Sequence, residues 1–234
     1  MRIVSYRLSE ESVRPGIETR VGIADLQAVA EISGYSGVEQ AGLLDARRVA
    51  GLGIAELNSL AEMAATSELR LRATGDFHEV ADVHLGPPIP DPQKIICIGL
   101  NYYDHAAEAG LTAPAAPIFF AKYPNSLIGP TDQIVPPLTT QAVDYEAELA
   151  IVIGETTRRV EATQALDHVI GVMAFNDVSA RDLQLANPLW TGGKAVDTFG
   201  PCGPALVTID EFTDIGNLAI TTRVNGQVVQ NGST

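Results

Sequence analysis

The run Gly86-Pro87-Pro88-Ile89-Pro90-Asp91-Pro92 constrains this chain more than any other stretch. Proline fixes φ and removes a backbone donor, so such a segment continues neither a helix nor a central strand. It predicts a boundary, with a small N-terminal α+β domain over 1–86, a linker over 87–92 and a β-rich domain over 93–234. Before the boundary, Arg2 to Leu8 and Thr19 to Ala24 read as strands. Ala41 to Ala50 and Ile54 to Ala65, rich in Ala, Leu, Glu and Arg, read as helices. After it the texture turns to β. Strands are expected over Lys94 to Leu100, Ile118 to Lys122, Glu146 to Ile153, Val172 to Phe175, Ala205 to Thr208 and Leu218 to Val224. The Asn225-Gly226 pair predicts a tight hairpin.

A chain of 234 residues can bury a core large enough to fold without staples. Its 29 acidic residues against 15 Lys and Arg give a net charge of −14. That field disfavours nucleic acid and anionic membrane as partners, yet a bound cation inverts it locally and admits a small anion. No apolar run approaches the ~20 residues of a membrane span. Met1 to Tyr6 lacks the apolar core and cleavage pattern of a signal peptide. Two cysteines, Cys97 and Cys202, supply no disulfide framework, and a reduced, cytoplasmic setting is expected.

Four groups of side chains carry chemistry. In Asp144-Tyr145-Glu146-Ala147-Glu148, strand alternation sends Glu146 and Glu148 to one face. Two such carboxylates repel unless a cation lies between them or one is protonated. Leu149 to Ile153 is continuously apolar and reads as a strand buried on both faces, which would leave the glutamates partly buried at its mouth. Asp177, in Phe175-Asn176-Asp177-Val178, supplies a third carboxylate or else caps the helix that follows. Oxygen-only donors suit a hard ion such as Mg²⁺ or Mn²⁺, with Ca²⁺ also compatible. Arg181 and Gln184, three apart on one helical face, are placed to hold a substrate carboxylate.

His105 and Glu108 are spaced as neighbours on a helical turn, so the carboxylate can orient the imidazole as a general base. A surface His–Glu pair is the plainer alternative. The glycine- and proline-dense stretch Trp190 to Pro204 reads as a loop of fixed shape carrying Lys194 as its one cation, and Lys122 is a further candidate substrate contact.

In this order the segments resemble the fumarylacetoacetate hydrolase family. The resemblance lies in Ile96-Cys97-Ile98-Gly99-Leu100-Asn101-Tyr102, His105-Ala106-Ala107-Glu108, Asp144 to Leu149, Asn176 to Gln184, and Lys194 to Pro204. It implies a mixed β-roll or barrel-like catalytic domain, usually a homodimer, with Mg²⁺ or Mn²⁺ held by Glu146, Glu148 and Asp177. His105 and Glu108 match a dyad that closes over substrate, and Arg181, Gln184 and Lys194 match substrate contacts. Family members usually continue past the position of Thr234 into further strands, so the catalytic domain is expected to be C-terminally incomplete here. The expected function is metal-dependent hydrolysis of a C–C bond in a 1,3-diketo acid such as an acylpyruvate. A lyase or isomerase using the same enolate on a related diacid is the alternative, and an inactive ligand-binding relative is the third. Thr112 to Pro117 and the Trp190 region are expected to set specificity.

Overall fold

The computed structural model describes all residues except 10–12, 36–44, 104–109, 111 and 113. The chain is sheet-rich α+β, as expected. Strands β1 (Arg2–Arg7), β2 (Arg14–Glu18) and β3 (Ile23–Asp25) form an antiparallel meander. The strand expected over Thr19 to Ala24 is therefore split: residues 19–22 make its turn, closed by Thr19 N–H donating to Gly22 O at 2.8 Å. Gly16 sits inside β2, where it is required because a Cβ would lie 2.7 Å from Ile23 Cγ2.

Helices α1 (Leu26–Ser33), α2 (Ala46–Ala50), α3 (Ile54–Thr66) and α4 (Glu68–Thr74) follow. Asp25 starts α1 by accepting from Ala28 N–H at 3.0 Å, and Gly34 ends it in the left-handed region that glycine enters without penalty. Leu57, Leu60 and Ala64 recur at helical spacing, and all are fully buried. They pack with Val29, Leu71, Ile3, Ile17 and Leu206 into one apolar core between helices and sheet. Burying each large side chain stabilises the fold by roughly 1.5–3 kcal/mol.

Next come β4 (Phe77–His78), β5 (His84–Gly86), β6 (Ile95–Gly99), β7 (Ile118–Lys122) and β8 (Leu127–Ile128). Then β9 (Val143–Asp144), β10 (Ala147–Ile153), β11 (Val169–Asn176) and β12 (Ser179–Ala180) lead into α5 (Arg181–Leu185) and α6 (Thr191–Lys194). The chain ends with β13 (Gly200–Pro201), β14 (Leu206–Thr208), β15 (Ala219–Val224) and β16 (Gln227–Ser233). Asn225 and Gly226 between the last two both have positive φ, the hairpin geometry their sequence predicts.

One sheet runs β10-β11-β14-β1-β2-β3-β4, with β5 also on β1. It crosses the proline-rich segment, because Arg2 faces Val207 and Ile3 faces Leu206. Among the described residues it is open rather than closed into a barrel, with β10 at one edge. That placement corrects the reading of β10 as buried on both faces: Ile151 is 49 % and Ile153 54 % exposed. At the other end of β10 the side chain of Gln230 takes the place of a neighbouring strand. Its Oε1 accepts from Ala147 N–H at 2.9 Å, and its Nε2 donates to Ala147 O at 3.3 Å. Among the described residues no helix is long and apolar enough to cross a membrane.

Candidate active site

The site forms where β10 begins and β11 ends, beside α5, α6 and the β6–β7 pair. Asp177 N–H donates to Glu146 O at 2.8 Å, and Glu146 N–H donates to Asn176 Oδ1 at 3.1 Å, so the two acidic stretches lie side by side. Lys194 Nζ stands between them, donating to Glu146 Oε2 at 2.7 Å and to Asp177 Oδ2 at 2.9 Å. Lys194 is 2 % exposed and Asp177 3 %. At this burial the charges stand only because they are paired and hydrogen-bonded.

Arg181 completes the clamp. Its Nε and Nη2 donate to Asp144 Oδ2 at 2.8 and 2.7 Å, while Nη1 donates to Glu146 Oε1 at 2.5 Å and to Gln184 Oε1 at 3.0 Å. Burial works against this guanidinium's charge, but Glu146 and Asp144 outweigh it and raise its pKa. Five N–H donors less these four bonds leave one on Nη2 for a ligand. Arg181 and Gln184 thus share a face, as their spacing predicts. Asp177 is not the helix cap: the N-cap residue of α5 is Ala180, with no side-chain cap bond.

Glu148 faces a different environment. Burial pushes its carboxyl up to about 7, Glu146 and Asp177 push the same way, and hydrogen bonds from Asn101 and Tyr102 oppose them. Asn101 Nδ2 donates to Glu148 Oε2 at 3.3 Å. The Tyr102 hydroxyl rises to about 12, through burial and then the Glu148 charge. Cys97 also rises to about 12, mainly from burial, and stays a thiol rather than a nucleophile.

Two glycines allow the surrounding close packing. A Cβ on Gly193 would come within 2.5 Å of Gln184 N and 2.6 Å of Ala180 O, so only glycine lets α6 lie against α5. The stretch holding Lys194 was expected to be a loop; it opens with this short helix. On Gly99 a Cβ would lie 2.3 Å from the Trp190 ring. Trp190 meets Phe120 edge-on at 5.6 Å, and Phe120 lies 5.1 Å below Lys194 Nζ, giving the ammonium an aromatic floor. Glu148, Asp177 and Tyr102 line one end of an open cleft of about 1360 Å³ that runs along β10.

Lys122 departs from the expected role. Its Nζ is buried and donates to Asp177 Oδ1 at 2.7 Å, to Val178 O at 3.1 Å and to Lys194 O. An ammonium has three N–H donors, and here each has a protein acceptor, so none remains for substrate. His105 and Glu108 lie outside the described residues. Asp144, Asn101 and Tyr102 were quoted in the sequence motifs without a role. Asp144 alone carried a signal, since a carboxylate on a strand facing an arginine segment is a ready partner for it.

Three carboxylates that feel one another's charge make a donor set chemically suited to a hard divalent ion. The Glu146 and Asp177 oxygens are taken by Lys194, Lys122 and Arg181, while Glu148 Oε2 accepts from Asn101. Among the described residues no three His, Cys, Asp or Glu side chains are gathered as an ion-holding group.

Fold and site together define an acidic, cation-laced centre of the kind that handles small anions. The chain belongs to the fumarylacetoacetate hydrolase family: the family described as fumarylacetoacetate (FAA) hydrolase C-terminal matches residues 94–234. A mitochondrial oxaloacetate tautomerase of Homo sapiens is 48 % identical over 149 residues, covering 63 % of this chain and 48 % of that protein. The chain therefore spans about half the length of this relative. The maleylpyruvate hydrolase of Sphingobium sp., solved with manganese(II) and pyruvate, superposes with a TM-score of 0.73 at 27 % identity. That match covers 100 % of this chain and 76 % of the other. A 5-carboxymethyl-2-hydroxymuconate delta-isomerase of Mycobacterium smegmatis gives 0.69 at 30 % identity, covering 100 % and 75 %.

Proposed function

We propose that this chain carries a divalent-metal-dependent site that interconverts the keto and enol forms of a small 2-oxo diacid such as oxaloacetate. The observation that carries the reading is the Lys194 ammonium held between Glu146 and Asp177, beside a Glu148 carboxyl pushed up to about 7. Enolisation needs fixed positive charge where an oxyanion develops and a group that moves a proton at carbon. Glu146, Glu148 and Asp177 would hold Mg²⁺ or Mn²⁺, which when bound supplies Lewis-acid polarisation of the 2-oxo group. Arg181, with one Nη2 donor left, and Gln184, whose amide it orients, bind the distal carboxylate. Lys194 holds developing negative charge on oxygen. The proton at carbon is assigned to His105, oriented by Glu108, on the family resemblance.

Tautomerisation is preferred to hydrolysis because the human relative, at 48 % identity, is named for it. The second reading, C–C hydrolysis of an acylpyruvate, draws on the maleylpyruvate hydrolase neighbour. The test follows decay of enol-oxaloacetate absorbance and, separately, product formation from a panel of acylpyruvates, with and without chelator and Mn²⁺. Chelator-sensitive enol decay is expected, and Asp177→Ala should slow it by about 10²–10³-fold. Acylpyruvate cleavage without enol decay would move the assignment to hydrolysis. Full turnover in Asp177→Ala, or turnover indifferent to chelator, would sink both readings.

A further inference from the structure

We infer that Lys122 is a positioning residue: a buried clamp that fixes Asp177 and Lys194 against each other. It closes β7, whose partner β6 holds Ile95 opposite it, and it is 1 % exposed. Its ammonium reaches two other segments at once. From the turn after β11 it takes Asp177 Oδ1 and Val178 O, and from the end of α6 it takes Lys194 O. Occupying Oδ1 has a geometric consequence. With Oδ1 held by Lys122, the other Asp177 oxygen, Oδ2, is aimed at Lys194 Nζ. Gripping the Lys194 carbonyl meanwhile fixes the backbone from which that Nζ extends to Glu146. One side chain thus sets both a carboxylate and the cation that faces it, without reaching the cleft itself.

A lysine is used here because three acceptors from two segments surround one point. Methionine fills a similar volume but donates nothing, and glutamine keeps two of the three donors. Loss of the clamp leaves Asp177 free to turn its carboxylate, so its oxygens no longer stay where an ion or Lys194 needs them. Residues that hold ligands in this way typically contribute 10–100-fold to metal affinity.

The inference rests on the reading above that Asp177 is an ion ligand, and the test separates the two. Mn²⁺ binding is measured by calorimetry on the wild-type chain, Lys122→Met, Lys122→Gln and Leu60→Ala. The last lowers the unfolding midpoint from a core remote from the site. Per folded molecule, Lys122→Met should weaken Mn²⁺ about 10–100-fold, Lys122→Gln less, and Leu60→Ala not at all. Affinity within about twofold of wild type in Lys122→Met, or equal losses in Lys122→Met and Leu60→Ala, would overturn the clamp. If Lys122→Met does not fold, Lys122→Gln carries the same comparison. A wild-type chain that takes up no Mn²⁺ removes the metal reading alone. Crystal structures of wild type and the folded variant then decide the clamp: a turned Asp177 carboxylate and a shifted Lys194 carbonyl uphold it, and an unmoved pair refutes it.

Discussion

The helix-covered face of the sheet and the end of β10 solve opposite problems with the same backbone. Leu57, Leu60, Leu71 and Val29 are apolar and fully buried, and none of these side chains carries a charge. At the end of β10, buried or half-buried carboxylates stand against Lys122, Lys194 and Arg181, and the strand's outer residues lie open. The first region stabilises by area removed from water. The second holds charges in place at a cost in desolvation, which the first must offset. Stability and chemistry are therefore separable here, and variants can be chosen that move one alone.

The largest separation should come from Leu60→Ala, which removes a fully buried side chain in the helical core. It is expected to lower unfolding free energy by about 2–5 kcal/mol in denaturant titration. Turnover per folded molecule should not change, and a turnover loss beyond the unfolded fraction would show that the regions are coupled.

Glu148→Gln should act the other way. A carboxyl raised from 4.5 to about 7 binds its proton more tightly in the folded chain. The metal-free fold is thus favoured by this group below about pH 4.5, loses that contribution as pH rises to about 7, and changes little beyond. The substitution should accordingly stabilise metal-free protein by about 3 kcal/mol at pH 8 and hardly at pH 4.5. It should also abolish tight Mn²⁺ uptake, while in the wild type apparent Mn²⁺ affinity falls about tenfold per pH unit below 7. Equal denaturation curves at pH 8 for the two proteins would count against the strained carboxylate.

The smallest effect is expected from Asp144→Asn, which loosens Arg181 without removing it. KM for the oxo-acid should rise about fivefold, near 1 kcal/mol, with kcat changed less. A kcat loss larger than the KM rise would place Arg181 in the chemical step.

What the sequence made legible follows from distance along the chain. Glu146 and Glu148 announce themselves by alternation, and Arg181 with Gln184 by helical spacing, because both rules are local. Lys122 lies 55 residues from Asp177 and 72 from Lys194, so no spacing rule connects them, and an isolated lysine after a strand reads only as a further candidate substrate contact. The pairing of Arg2 with Val207 is equally invisible, and with it the sheet that unites both sides of the proline-rich segment.

The Gln230 amide bound to both main-chain groups of Ala147 has a consequence beyond the fold. A primary amide offers the same carbonyl and N–H as a peptide unit, so it plugs the ladder beside Glu146 and Glu148. Intermolecular strand addition, the route by which open sheets aggregate, is blocked at that end and left with the greasy tip at Ile151 and Ile153. Self-association along this rim would then start from the Ile151 and Ile153 end of the strand and leave the Ala147 end covered.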